Sequence, residues 1–528
     1  MKNTAAIIFR TILLITIGVL IGFFLSDGNF GGRRLGLNLS GQDKISRVLD
    51  LVRQQYVDSV DVDSLEGVTL NDMLQNLDPH SVYLPAQQAR TINEKLEGGF
   101  NGIGLEYQLL RDTLVVIQVN KNGPAAKAGI ETGDKVVKVN DKPFSGTKLS
   151  IDRISKLFRG EKDTYLTLNI SRNNSKQLKA FRLKRDHVTL SSIDAAYAQN
   201  GTGYIKISKF ASSTDTDFRK ALADLKVEGM QKLVLDLRGN GGGYLNTATA
   251  LADEFLPNGK LIVYTKGVHE PRTDYFATDS GSYETGKLTV IIDEYSASAS
   301  EILAGAMQDL DRATIIGRRS FGKGLVQQQF PFGDGTAVNL TVARYYTPSG
   351  RSIQKSYKNG IASYRDELAN RIRKGELLNA GSNLNDSAFT GGSAYHTIKG
   401  RKVYSSGGIM PDIFVPADTT ENTMLIDQLI QNQLFTGYVI DRLQKTIASY
   451  PTAERFINKY TITDETMHSF IMYAAQTLKY IEPHDLVISK NVIKTLIKAN
   501  AARFRWGNNA YYRILNNDDN TFKKALLQ

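Results

Sequence analysis

The spacing of apolar residues changes repeatedly along the chain, and each change marks a predicted boundary. Ala5 to Leu25 is apolar apart from Arg10 and a few Thr and Gly. As a helix this stretch would reach roughly 31 Å, enough to span a bilayer with Arg10 reaching the interface. It also fits a cleaved signal peptide, because Thr11 to Leu25 has the length of an apolar signal region and small residues Ser26 and Gly28 follow. A retained anchor over 1–27 is the favoured expectation. Gly18 and Gly22 within it form a GxxxG pair of the kind that brings membrane helices together. Lys2 and Arg10 before the segment and Arg33 and Arg34 after it leave its orientation open.

A Gly-rich linker over 28–40 leads to helices expected over 41–95, interrupted by a turn at Leu77 to Ser81. Over 96–185 the pattern shortens to β-rich runs such as Thr113 to Val119 and Tyr165 to Ile170. Strands and helices alternate over 186–416, which predicts a mixed α/β core. Leu233 to Leu237 and Leu288 to Ile292 read as buried strands, each running into a turn and then a helix, and active sites of open α/β sheets gather at such corners. The polar, Gly- and Asn-rich stretch 355–398 reads as a surface insertion. Beyond it, over 417–528, apolar residues recur at helical spacing (Leu425, Ile426, Leu429, Leu434) without a chemical motif. The expected fold is a multi-domain α/β chain ending in helices.

Composition narrows the functions more than the fold. At 528 residues, with 41% hydrophobic and 23% charged positions, the chain is globular and long enough for several folding units. Its net charge of +11 is spread out rather than gathered into a stripe, and no zinc-finger spacing, aromatic RNA-binding strand or basic helix accompanies it, so no nucleic-acid partner is expected. There is no cysteine, which excludes disulfides, thiolate catalysis and Cys-ligated metals together. No two histidines stand at i, i+4 spacing, and neither a metal nor a cofactor is expected.

The chemistry then falls to serine. A hydroxyl needs a base, an oxyanion hole and a tight turn that exposes it. The turn Ser296-Ala-Ser-Ala-Ser300 precedes a helix predicted from Glu301, so Ser298 lies near free N–H groups at a helix start. By itself this is an ordinary helix cap. If Lys323 to Gln327 is extended, Lys323, Leu325 and Gln327 share one face, and an amine and a carboxamide could meet the serine together. Ser320 with Lys323, and Ser145 with Lys148, have S-x-x-K spacing, but that motif works on a helix, and Gly322 and Gly324 argue against one there. Ser296 and Ser300 read as caps. His80, beside a proline turn, reads as structural, and Asp309 as a salt-bridge or helix-end residue.

The stretch Gly123-Pro-Ala-Ala-Lys-Ala-Gly through Asp141 resembles the signature of PDZ domains. That resemblance implies a peptide-carboxylate loop at Gly102, Ile103, Gly104 and Leu105. With Asp236-Leu-Arg-Gly-Asn-Gly-Gly-Gly, Ser296-Ala-Ser-Ala-Ser-Glu, Ser320-Phe-Gly-Lys-Gly-Leu-Val-Gln and Gly407-Gly-Ile-Met-Pro-Asp, the chain resembles the carboxyl-terminal processing peptidases over about 41 to 416. The resemblance implies a crotonase-like protease core, Ser298 as nucleophile, Lys323 as general base and Gln327 as the base's partner. Its oxyanion donors fall on the N–H of Gly242 or its neighbours and on that of Ala299. Gly241 stands where the family usually has proline, which leaves the donor on that turn open. The implied partners are proteins with unstructured C-termini. A periplasm-facing position in a bacterial-type envelope, held by the N-terminal segment, is expected with them. The helical tail lies outside the resemblance, and packing on the core, formation of a homo-oligomer and binding of an adaptor all stay open for it. Two other functions fit parts of the pattern: an inactive PDZ scaffold binding C-termini, and thioester chemistry at the glycine turn.

Overall fold

The computed structural model describes residues 43–146, 149–173, 175–378 and 392–528. The expected anchor and linker, 1–27 and 28–40, lie outside the described residues, as does Lys148. Among the described residues no helix is long and apolar enough to cross a membrane. Compact structure divides at Thr69. The first unit contains the helix Asp43–Gln55 and the opening of the helix Val62–Gln75, with Ile45, Val48 and Leu51 exposed.

The second unit begins at Leu70 and is organised by a six-stranded sheet in the order Ile193–Gln199, Thr202–Ile207, Lys232–Asp236, Lys287–Ile292, Thr314–Gly317, Ile413–Phe414. The first pair is antiparallel and every later pair parallel. Strands such as Leu-Val-Leu-Asp at 233–236 are buried on both faces, which is why they read as unbroken apolar runs rather than alternating ones. The helices Leu245–Asp253 and Ala299–Asp309 pack with the sheet in one core that includes Leu235, Val290, Leu251 and Leu303. Each such side chain contributes roughly 1.5–3 kcal/mol by leaving water.

A second sheet carries the other half of the site. Its long strand Ala337–Tyr346 pairs with Leu325–Pro331, with Leu261–Lys266 and with the short strand Val82–Leu84. The last pairing corrects the expectation of a separate helical segment over 41–95: Val82–Leu84 is a strand of this second sheet, and the helix Ala86–Glu97 follows directly from it. The PDZ sheet, Leu105–Leu110 through Lys179–Lys184, is attached by the antiparallel pair Gly99–Gly102 and Asp186–Thr189.

Residues 355–378 also correct the sequence reading, for they are not a surface excursion. Arg371 and Tyr364 are buried, and Arg371 donates to the carbonyls of Arg319 and Ser320 while pairing with Glu376. Polar composition concealed this burial because the charges neutralise one another inside: Arg319 also pairs with Glu376 and Glu367. Residues 379–391 of the expected insertion lie outside the described residues.

The helical C-terminal region touches both other parts. Its Ile440 and Phe504 pack on Val115 and Ile117 of the PDZ sheet, with Arg503 paired to Glu106 and Asp441 to Arg111. At its far end Phe522 meets the Tyr204 ring edge-on, and Asp519 pairs with Arg238 beside the glycine turn.

Candidate active site

Both predicted corners form, and one asparagine knots them together. Asn240 is fully buried; its carbonyl accepts from Ala297 N–H at 3.0 Å and Ser300 Oγ at 2.9 Å, and its Nδ2 donates to Ile207 O at 3.0 Å. Asp293 adds a second tie by accepting from Gly239 N–H at 3.0 Å. The Gly239–Gly243 turn and the Ser296–Ser300 turn are thereby held face to face.

Among the serines here, three spend their hydroxyl protons on internal acceptors. Ser296 donates to Leu237 O, Ser300 to Asn240 O and Ser320 to Glu301. Ser298 instead lines a cavity of about 320 Å³ with Lys323, Gln327, Gly241, Gly243 and Tyr345. Its backbone, at φ 54° and ψ −113°, is in a region that few residues other than glycine occupy, so the turn stores strain where the hydroxyl is presented.

Lys323 lies just ahead of the strand Leu325–Pro331 rather than within it, yet its Nζ reaches Gln327 Oε1 at 2.8 Å. A register shift between Val326 and Gln327 interrupts the simple alternation expected there, and Val326 joins the cavity wall. Burial lowers the Lys323 pKa, against the opposing pull of the Asp78 and Glu301 carboxylates. An amine that gives one N–H to Gln327 still has its lone pair when neutral, which is what a general base requires.

The groups that hold this pair come largely from residues the sequence reading passed over. Glu301 is buried and its Oε2 accepts from both Ser298 N–H and Lys323 N–H at 2.9 Å, while Oε1 accepts from Ser320 Oγ and Gly322 N–H. Burial raises its pKa to about 7, with these hydrogen bonds acting the other way. The Tyr345 hydroxyl contacts the carbonyls of the same two residues, 3.2 Å from Ser298 O and 2.7 Å from Lys323 O. Gln327 is fixed in turn by donating its Nε2 to the His80 carbonyl. Asp78 shapes that loop by accepting from His80 N–H and from both N–H and Oγ of Ser81. The His80 ring bonds the Tyr364 hydroxyl at 2.8 Å, and its pKa falls to about 4 through burial and then the charge of Lys323. The Asp-Pro-His-Ser turn was a visible signal; that it serves through a main-chain carbonyl was not.

One expected role changes. Gly242 lies against the Ser296–Ser300 turn, and a Cβ there would come within 2.8 Å of Ser298 Cβ. Its N–H, however, donates to Asn240 Oδ1 at 2.9 Å, so it is not free to serve as an oxyanion donor in this arrangement. Ala299 N–H, at the first position of its helix, has no acceptor among the described residues. Asp309 forms a fully buried pair with Arg351.

In the PDZ domain, Ile103, Gly104 and Leu105 line a cavity of about 400 Å³ with Phe158, Arg159 and Val188. Gly102 is not on that wall; it bridges to Arg159, and a Cβ there would strike the Phe100 ring.

Residues 201–363 match the profile of peptidase family S41, residues 101–181 that of the PDZ domain, and residues 425–507 a family of unknown function (DUF8443). A carboxy-terminal-processing protease of Bartonella bacilliformis is 34% identical over 76% of this chain and 89% of its own length. The chain belongs to the carboxy-terminal processing proteases. Another family member, the carboxy-terminal processing protease CtpB of Bacillus subtilis, is 34% identical over 59% of this chain, and the match spans 65% of that relative. A solved photosystem II D1 C-terminal processing protease is 28% identical with a TM-score of 0.33, covering 59% of this chain and 84% of its own.

Proposed function

We propose that the chain is a serine endopeptidase that cleaves polypeptides near loosely structured C-termini, with Ser298 as nucleophile, Lys323 as general base and Gln327 as the group that orients the base. The observation that carries this reading is the Lys323–Gln327 hydrogen bond inside the cavity that Ser298 lines. Neutral Lys323 takes the proton of Ser298 Oγ as Oγ adds to the substrate carbonyl. The developing oxyanion is met by Ala299 N–H and a donor from the glycine turn. The protonated amine then gives its proton to the leaving nitrogen as the C–N bond breaks. Water hydrolyses the acyl-enzyme by the same route reversed. A positioned base is worth roughly 10² to 10⁴ in rate.

The PDZ cavity supplies the substrate class, an extended C-terminus adding beside the strand Leu105–Leu110. The apolar run of residues 5–25 supports a position at a bacterial-type inner membrane, facing the periplasm; fractionation of the full chain, with the protein expected in the membrane pellet, checks this.

The test is cleavage of a substrate with an unfolded tail. Ser298→Ala and Lys323→Ala should each lose at least about 10²-fold in kcat/KM with unchanged folding. A serine-directed probe should label Ser298 in the wild type only. Full activity in either variant overturns the proposal.

A further inference from the structure

The strand Leu325–Pro331 brings one more polar side chain to the cleft than this mechanism uses. Gln329 stands two residues beyond Gln327 and opposite Asn339 of the neighbouring strand. It lines the catalytic cavity and also a second cleft of about 580 Å³ along the helix Ala86–Glu97. Phe100 lines that cleft and is also a wall of the PDZ cavity. The PDZ cavity, the cleft and the catalytic cavity therefore adjoin in that order, and Gln329 occupies the second junction.

Gln329 Nε2 is buried and has no hydrogen-bond partner among the described residues. A buried amide donor left unpaired opposes folding, because the group has lost water and gained nothing in return. Three other uncharged carboxamides, Asn93, Gln327 and Asn339, line the same cavity. Neutral donors and acceptors at this point suit a polypeptide main chain, which every substrate supplies, better than a charged side chain.

We infer that Gln329 is a substrate-binding residue whose Nε2 donates to a main-chain carbonyl of the polypeptide where it passes from the cleft into the catalytic cavity. This rests on the peptidase reading above. The bond forms in the bound ground state and persists through acylation, so its loss weakens binding rather than turnover.

Gln329→Met keeps the length of the side chain and removes the donor. KM for an unfolded-tail substrate should rise about 3- to 10-fold with kcat within about twofold, and the melting temperature should not fall. A residue with only a structural role would show the reverse: a lower melting temperature and an unchanged KM. In a Ser298→Ala background, a fluorescent tail peptide should bind more weakly by the same factor, a reading independent of turnover. Unchanged KM together with unchanged peptide affinity overturns the inference. If Gln329→Met does not fold, Gln329→Glu keeps shape and polarity, lacks the donor when ionised and carries the same expectation. A wild type that binds the peptide but never cleaves it would remove the peptidase reading and leave the binding arm able to judge Gln329.

Discussion

Glu301 Oε2 accepts the backbone N–H of Lys323 at 2.9 Å across 22 residues of chain. Because the same oxygen takes Ser298 N–H, one buried atom sets the separation of the proposed base and nucleophile. Tyr345 repeats the tie on the carbonyl side of both residues.

Glu301→Gln should therefore damage catalysis without touching a reacting group. A carboxamide offers one acceptor oxygen, whereas the four groups that meet this carboxylate are all donors. Two of them would face an NH₂. The expected result is a fall in kcat of about tenfold or more, and a stability loss of roughly 1–3 kcal/mol for each donor left buried and unpaired, read by denaturant titration. Wild-type kcat in the variant would refute the positioning role.

The pH profile follows from Lys323. Burial lowers its pKa, and as the proposed base it would accept the serine proton only when neutral, so kcat/KM should rise with pH around a midpoint below the usual lysine value of about 10.4. The Glu301 carboxylate pulls that pKa back up. Glu301→Gln should accordingly move the midpoint to lower pH even as the plateau drops, and a midpoint that moves upward would contradict the electrostatic account.

His80 and Glu301 titrate against folding in opposite directions. His80 is depressed from 6.5 to about 4, so its contribution to stability is complete above 6.5 and is lost as pH falls through 4. Glu301 is raised from 4.5 to about 7, so its contribution is complete below 4.5 and is lost as pH rises through 7. Thermal melts of His80→Phe should lack the acid-side loss. The same variant should keep turnover within about tenfold, because Gln327 is held by the main-chain carbonyl of residue 80. Loss of activity as deep as that of Ser298→Ala would mean that the ring takes part in the chemistry.

Adjacent glycines should respond differently to one methyl group. A Cβ on Gly242 would lie 2.8 Å from Ser298 Cβ, at φ +102°, whereas one on Gly241 meets nothing within 4 Å. Gly242→Ala should displace Ser298 and lower kcat/KM by about 10²-fold or more, while Gly241→Ala should cost no more than a few-fold. Equal effects would show that Gly242 does not need to approach the Ser298 turn this closely.

Legibility followed the way each part is stabilised. Leu233 to Leu237 and Leu288 to Ile292 were readable because a strand buried on both faces is an unbroken apolar run. Ser298, Lys323 and Gln327 were readable through motif and resemblance, and they line one cavity. Glu301 was not, because its donors come from the turn at Ser298 and from the later Ser320–Lys323 segment, a convergence without local periodicity. Val82–Leu84 is too short to show alternation. Arg371 lies in a polar stretch that looks solvated until its charge partner is found.

The backbone at Ser298 also bears on which residues that position can hold over evolutionary time. Threonine carries the same hydroxyl, and one added methyl is the smallest change that preserves the chemistry. A β-branched side chain is a severe outlier at positive φ, and Ser298 sits at φ 54°. Of the two aliphatic alcohols in the genetic code, the turn admits one, so drift at this site passes through loss of the hydroxyl rather than through its nearest chemical equivalent.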